Sequence, residues 1–255
     1  MLGKEDLSRL AEVKRLSLRN AEKDYVLELL LYLIYTYAGK ELVFKGGTAL
    51  YKIYGLNRFS EDLDFTLASR KFKIERMLAN ILRGLESLGI SAIIQEKKRY
   101  KNEINIRLAV SGPLYDGRKE SLATITINIS TRERAVKLPM REKIITLYKE
   151  LTAFDVYAMD LHEILAEKVR AIMTRNKARD MYDLWFLIRK GISFDAGLTN
   201  KKLKIYNMKF KKEEFIKKIE EKKDMWETDL KAVIIGALPE FGFVKNEILK
   251  WLHNP

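Results

Sequence analysis

Two aspartates one residue apart, Asp62 and Asp64, sit on a stretch that alternates strictly, with Leu63, Phe65 and Leu67 on one side and Asp62, Asp64 and Thr66 on the other. On an extended strand, residues i and i+2 share a face, so the two carboxylates point the same way. Carboxylates so placed suit Mg²⁺, a hard cation that takes oxygen ligands and keeps several waters. A glycine pair, Gly46 and Gly47, follows the short apolar stretch 42–44 and opens a helical pattern holding Leu50 and Ile53. Without side chains these glycines let the backbone approach a phosphate, and the free N–H groups of the next helix aim at the anion. Thr48 adds a hydroxyl at the helix start. Singly these signals are weak, because a D-x-D is also how the wet side of a strand reads and Gly-Gly is also a tight turn. Together, in the order strand, glycine pair, helix, loop, D-x-D strand within 44–67, they point to nucleotidyl transfer. That chemistry places an α-phosphorus in line with an attacking hydroxyl, while metal ions clamp the attacking and leaving oxygens.

The remaining composition narrows the field. The chain has 255 residues, no cysteine and two histidines, His162 and His253. Disulfides, thiolate metal sites and cysteine nucleophiles are thereby excluded, and a histidine zinc site or Ser-His-Asp triad is poorly supplied. Any metal is expected on oxygen ligands. The net charge of +13 favours a polyanionic partner. Abundant Lys and Glu beside the single glutamine Gln95 also fit heat adaptation, which explains the number of charges but not their imbalance. The longest apolar run, 29–38, is too short to span a bilayer. The opening M-L-G-K-E-D-L has no signal-peptide h-region, so a cytoplasmic protein is expected.

The elements that must hold these residues form two lobes. Helices are expected at 20–37 and 74–88 and strands at 42–44, Asp62–Leu67, 91–97, Glu103–Val110 and 122–130, so the first half reads as a mixed α/β unit with mostly antiparallel strands. Residues 141–159 are ambiguous, with a last strand at 154–159. Beyond Asp160 the pattern is helical: 160–174 behind an Asp160/Glu163 capping box, 179–189 ended by Gly191, then 211–222, 224–236 and 243–252. The ten lysines of 201–223 read as a solvated face. The α/β lobe is assigned to 1–150 and the helical lobe to 151–255.

The text K-G-G-T-A-L followed by R-F-S-E-D-L-D-F resembles the AbiEii-type nucleotidyltransferase toxins of type IV toxin–antitoxin and abortive-infection systems, within the DNA polymerase β-like nucleotidyltransferase superfamily. A second block, E-K-V-R-A-I-M-T-R-N-K-A-R-D-M-Y-D-L at 167–184, resembles the family's later motif, and Trp226-x-x-Asp229-Leu230 with Leu238-Pro239-x-Phe241 looks familial too. The resemblance implies an α+β fold whose polymerase β-like lobe has a mixed sheet and whose helical C-terminal lobe closes the active-site cleft. It implies Asp62 and Asp64 as metal-binding catalytic residues, Lys168 and Asp180 as catalytic or substrate-orienting residues, and Gly46, Gly47, Thr48 and Ser60 as the nucleotide-binding set. It implies Mg²⁺, an NTP substrate, an RNA acceptor (tRNA in the first instance) and a cognate antitoxin. Read from the residues alone, Lys168 flanks the apolar stripe of Leu161, Leu165, Val169 and Ile172, where a lysine also snorkels along its stem. Asp180 suits the first turn of a helix by its dipole, and Asp183 is assigned to structure.

One position departs from the superfamily. A third carboxylate is expected from the 122–130 strand, and the residue there is Asn128. An amide oxygen can ligate a metal but is not a base near neutral pH. Either two carboxylates suffice, with Asp180 as the base, or the chain is a nucleotide- or RNA-binding protein on the same scaffold. A small-molecule nucleotidyltransferase is a third reading, disfavoured by the basic charge.

Overall fold

The computed structural model describes residues 2–253 in two compact units. The first comprises 2–55, Phe59–Ala135 and Pro139–Ala158; the second Leu56–Arg58, Val136–Leu138 and 159–253. In the first, the order is α1 (Lys4–Lys14), α2 (Leu18–Ala38), β1 (Leu42–Lys45), α3 (Gly46–Tyr54), β2 (Asp62–Leu67), α4 (Ile74–Ser87), β3 (Ala92–Arg99), β4 (Glu103–Val110), β5 (Ala123–Ser130), β6 (Met140–Ile144) and β7 (Phe154–Ala158). The strands form one sheet in the order β3-β4-β5-β2-β1-β7-β6. Its β1–β7 and β2–β5 pairs are parallel and the others antiparallel. The expected mixed, mostly antiparallel sheet is what forms.

Helix α2 is the spine of this unit. Val26, Leu27, Leu29, Leu30, Leu31 and Ile34 are fully buried, covering its whole circumference, as expected of a helix packed on several sides. It lies against the sheet, with Tyr32 edge-on to Phe154 and Tyr35 beside Phe65. Its acidic residues are buried as well. Asp24 accepts from Lys14 Nζ and Lys52 Nζ at 2.6 Å each and from the Tyr148 hydroxyl at 2.7 Å, and Glu28 accepts from Lys52 at 2.7 Å. This cluster ties α1, α2 and the loop after β6 to α3. Burial alone would raise the Asp24 pKa, but Lys52 and Lys14 together outweigh it and hold the carboxyl well below the usual range.

The second unit holds α5 (Leu161–Thr174), α6 (Ala178–Arg189), α7 (Ala196–Lys204), α8 (Lys212–Glu220), α9 (Trp226–Leu230) and α10 (Phe241–His253). Asp160 caps α5, accepting from the His162 N–H at 2.9 Å. The Trp226 motif proves architectural: Trp226 Nε1 donates to the Pro239 carbonyl at 2.9 Å, its ring packs on Phe241, and Asp229 accepts from the Ala178 N–H at the start of α6.

Several expectations need correction. The 201–223 lysines are not simply a solvated face, because Lys202 and Lys222 are fully buried. Lys202 sits on Glu163 at 2.6 Å, and Lys222 donates to the Arg175 carbonyl and Asn176 Oδ1 at the end of α5. The 224–236 helix shrinks to Trp226–Leu230, since the chain bends to bridge Ile234 with Arg58. Helices α1 and α7 and strand β6 were unforeseen. Of α1 only Leu7 and Ala11 are buried, too sparse for a periodic signal, and β6 is an edge strand with one buried residue, Ile144.

The Asp24 cluster is testable. Asp24→Asn leaves Lys52 buried without its main partner and should cost about 3–5 kcal/mol in denaturant unfolding at pH 7. A depressed carboxylate pKa contributes stability above the unfolded value of about 4 and loses it as pH falls through the folded value. The gap between wild type and variant should therefore narrow in acid, and a gap unchanged at low pH would contradict this account.

Candidate active site

The glycine pair and the D-x-D strand meet at one end of the sheet. β1 pairs with β2 so that Lys45 stands opposite Asp64, placing the start of α3 beside the carboxylate. Gly46 has φ +76°, a conformation open to glycine at little cost. A Cβ on Gly46 would lie 2.5 Å from Asp64 Oδ2. The absent side chain is thus the space the carboxylate occupies, at the end of α3 where N–H groups lack helical partners.

The other side of the carboxylate is fixed by β5. The β2–β5 register sets Asp62 opposite Thr126 and Asp64 opposite Asn128, and Asn128 Nδ2 donates to Asp64 Oδ1 at 3.0 Å. Asn128 is therefore where a third carboxylate was expected, and it acts as a donor to Asp64. Glu103 is one row farther along, opposite Ser130. Among the described residues no group of three acidic or histidine side chains forms a metal cluster. Two half-buried carboxylates on one face still fit Mg²⁺, which commonly takes one or two carboxylates and completes its shell with substrate phosphates and water.

Thr48 and Ser60 hold this geometry from behind. Thr48 is fully buried, with its Oγ1 2.8 Å from Ser60 Oγ and hydrogen-bonded to the Asp62 carbonyl. Its hydroxyl staples the first turn of α3 to the start of β2. Gly47 is buried in the same turn.

Lys168 and Asp180 belong to a buried charge cluster of the helical unit. Lys168 Nζ lies 3.1 Å from Asp180 Oδ1 and 2.7 Å from Asp183 Oδ2. Burial opposes the Lys168 charge, yet Asp183 and Asp180 together raise its pKa. Asp183 is also gripped by Arg58, Nε to Oδ1 at 3.0 Å and Nη2 to Oδ2 at 2.9 Å, a bidentate pair wholly inside the unit. Arg58 escaped the sequence reading, although it opens the R-F-S-E-D-L-D-F motif. Asp180 is engaged on both oxygens by Arg175, at 2.7 and 2.8 Å. Burial works against its charge, but Lys168 and Arg175 hold it well below the usual carboxylate range. A carboxylate so stabilised is a poor proton acceptor, so the geometry favours Asp180 as a positioning residue over a general base.

Strand, glycine turn, helix and paired carboxylates on a mixed sheet define a nucleotidyltransferase. The sequence matches the model of the nucleotidyl transferase AbiEii toxin family, type IV toxin–antitoxin system, over residues 30–245, and the chain belongs to that family. Among solved structures it is similar to MenT4, a nucleotidyltransferase toxin from Mycobacterium tuberculosis H37Rv, with a TM-score of 0.67 and 18% identity, covering 98% of this chain and 88% of that one. It is also similar to JHP933 from Helicobacter pylori, with a TM-score of 0.60 and 22% identity, covering 93% and 92%. At these identities the likeness concerns the fold. No curated protein matches the sequence significantly. Among the described residues, no helix is long and apolar enough to cross a membrane.

Two substitutions probe the carboxylate seat. Gly46→Ala combines backbone strain of about 1–2 kcal/mol with the Asp64 collision, whereas Gly55→Ala, at φ +77° with open space around it, imposes the strain alone. Nucleotidyl transfer should be lost in the first and retained in the second; equal loss in both would mean that strain, not the carboxylate, is responsible. Asn128→Asp should lower the melting temperature without divalent cation, through repulsion with Asp64. Added Mg²⁺ should then raise its melting temperature more than it raises that of wild type.

Proposed function

We propose that this protein is a Mg²⁺-dependent nucleotidyltransferase that moves NMP from an NTP to an RNA acceptor, with tRNA as the expected acceptor, and that a cognate antitoxin protein restrains it. The observation that carries this reading is the Asp64 carboxylate seated against Gly46 at the start of α3, with Asp62 on the same face. The family supplies the reaction class, and the charge of +13 supports a polyanionic acceptor.

In this reading Asp62 and Asp64 hold Mg²⁺, which when bound neutralises phosphate charge and polarises the phosphoryl group. Gly46 and Gly47 let the phosphates approach the backbone, whose N–H groups bind them. Thr48 and Ser60 keep helix and strand in register, and Asn128 orients Asp64 by its hydrogen bond. In the helical unit Asp180 fixes the guanidinium of Arg175, which is 60% exposed and suited to phosphate, and Lys168 keeps Asp180 ionised.

The test incubates purified protein with total RNA, MgCl₂ and each α-labelled NTP in turn, beside Asp64→Ala. Label should enter RNA with wild type and fall to background with the variant and with EDTA. Nucleotide binding without transfer to any acceptor would overturn this proposal in favour of a binding protein, the reading that Asn128 favours.

A further inference from the structure

The polar face of the sheet continues away from the carboxylates, and its continuation is built from side chains that suit a nucleic acid strand. The registers place residues in rows across four strands. One row runs Asp64, Asn128, Asn105, Lys98, and the next runs Asp62, Thr126, Arg107, Glu96. Strands spaced 4.7–4.9 Å apart put the backbone of Lys98 about 14 Å from that of Asp64. The first row grades from a carboxylate through two amides to a cation, and the second from a carboxylate through a hydroxyl to Arg107 before it ends on Glu96. In the first row the Asn105 Oδ1 atom is buried without a hydrogen-bond partner.

Beyond the amides lies the β3–β4 hairpin, whose turn closes with the Tyr100 N–H on the Glu103 carbonyl. Every residue of β3 after Ala92 is exposed, so the edge strand has little covering on either face. From Lys97 to Arg107 the hairpin carries five cations, Lys97, Lys98, Arg99, Lys101 and Arg107, against one carboxylate, Glu103. Lys97 pairs with Glu75 and Lys98 with Glu96, which also stands opposite Arg107 and feels its charge, while Arg99 and Lys101 make no ion pair among the described residues. Tyr100, at the tip, is 55% exposed. Uncompensated cations around an exposed aromatic ring are the pattern for a single strand, with phosphates on the cations and a base stacked on the ring. The hydrogen-bonding groups nearer the carboxylates suit ribose and base edges, where the 2′-OH distinguishes RNA.

We infer that the β3–β4 hairpin and the Asn105/Arg107 rows dock a single-stranded end of RNA and lead it across the sheet toward Asp62 and Asp64. This rests on the RNA-acceptor reading for its direction, but RNA binding can be measured without catalysis. Fluorescence anisotropy of a short labelled single-stranded RNA, titrated at several salt concentrations, would compare wild type with Arg99→Ala/Lys101→Ala/Arg107→Ala and with Tyr100→Ala. These side chains are exposed, and matched melting temperatures would confirm folding. The triple variant should bind at least about tenfold more weakly, with the salt slope reduced by about 2, the value for three lost phosphate contacts on a single strand. Tyr100→Ala should weaken binding by roughly 5- to 150-fold for one lost stack. Asp62→Ala/Asp64→Ala should bind as wild type while losing transfer. Unchanged affinity and slope in the triple variant would overturn the inference, as would wild type that binds no RNA or releases it equally to an acidic peptide. Hairpin-dependent binding with no transfer from any NTP would leave the inference standing and defeat the proposed function instead.

Discussion

The carboxylate of Asp64 occupies the space that a side chain on Gly46 would need. Everything else at this end of the sheet serves that close approach. The β1–β2 register brings the two residues together, the positive φ of Gly46 turns the chain into α3, and Asn128 holds the opposite oxygen. Thr48 locks the first helical turn to the start of β2. Negative charge beside a helix start is also favourable in itself, which offsets part of the cost of removing it from water.

A second constraint recurs in both units: charges are buried in matched clusters. Lys52 with Asp24 and Glu28 anchors α3 in the first unit. Arg58 and Lys168 with Asp183, and Lys202 with Glu163, do the same in the second. Removing one member leaves a buried charge without its full set of partners, so each cluster disfavours alternative packings strongly even where its net stabilisation is small. The basic surplus that remains outside these clusters is concentrated at places such as the β3–β4 hairpin, where no carboxylate pairs with Arg99 or Lys101 among the described residues. Net charge alone says nothing about where a polyanion binds; its distribution over exposed strands does.

Much of the architecture was legible because it rests on local rules. The alternation in Asp62–Leu67 marks a strand with one buried face, and the spacing in 20–37 marks a helix. Both survive folding because their apolar residues have a core to enter. Elements without such a pattern escaped: α1 buries two residues, and β6 is defined by its pairing with β7. The lysine-rich 201–223 stretch misled because burial of Lys202 depends on Glu163 and Glu167, some forty positions earlier, and no local window contains both.

The sequence by itself determined the chemistry: two carboxylates at i and i+2, a glycine pair before a helix, no cysteine, and an excess of cations. These follow from residue type and short-range spacing, which strand and helix geometry convert directly into shared faces. Tertiary structure alone decided what each group does there. Sheet register made Asn128 a donor to Asp64 and extended the polar rows to Lys98. Helix packing bound Asp180 between Arg175 and Lys168, whose charges outweigh its burial and hold the carboxyl well below the usual range. Such roles depend on distance and desolvation between residues far apart in the chain, and those quantities exist only once the chain has folded.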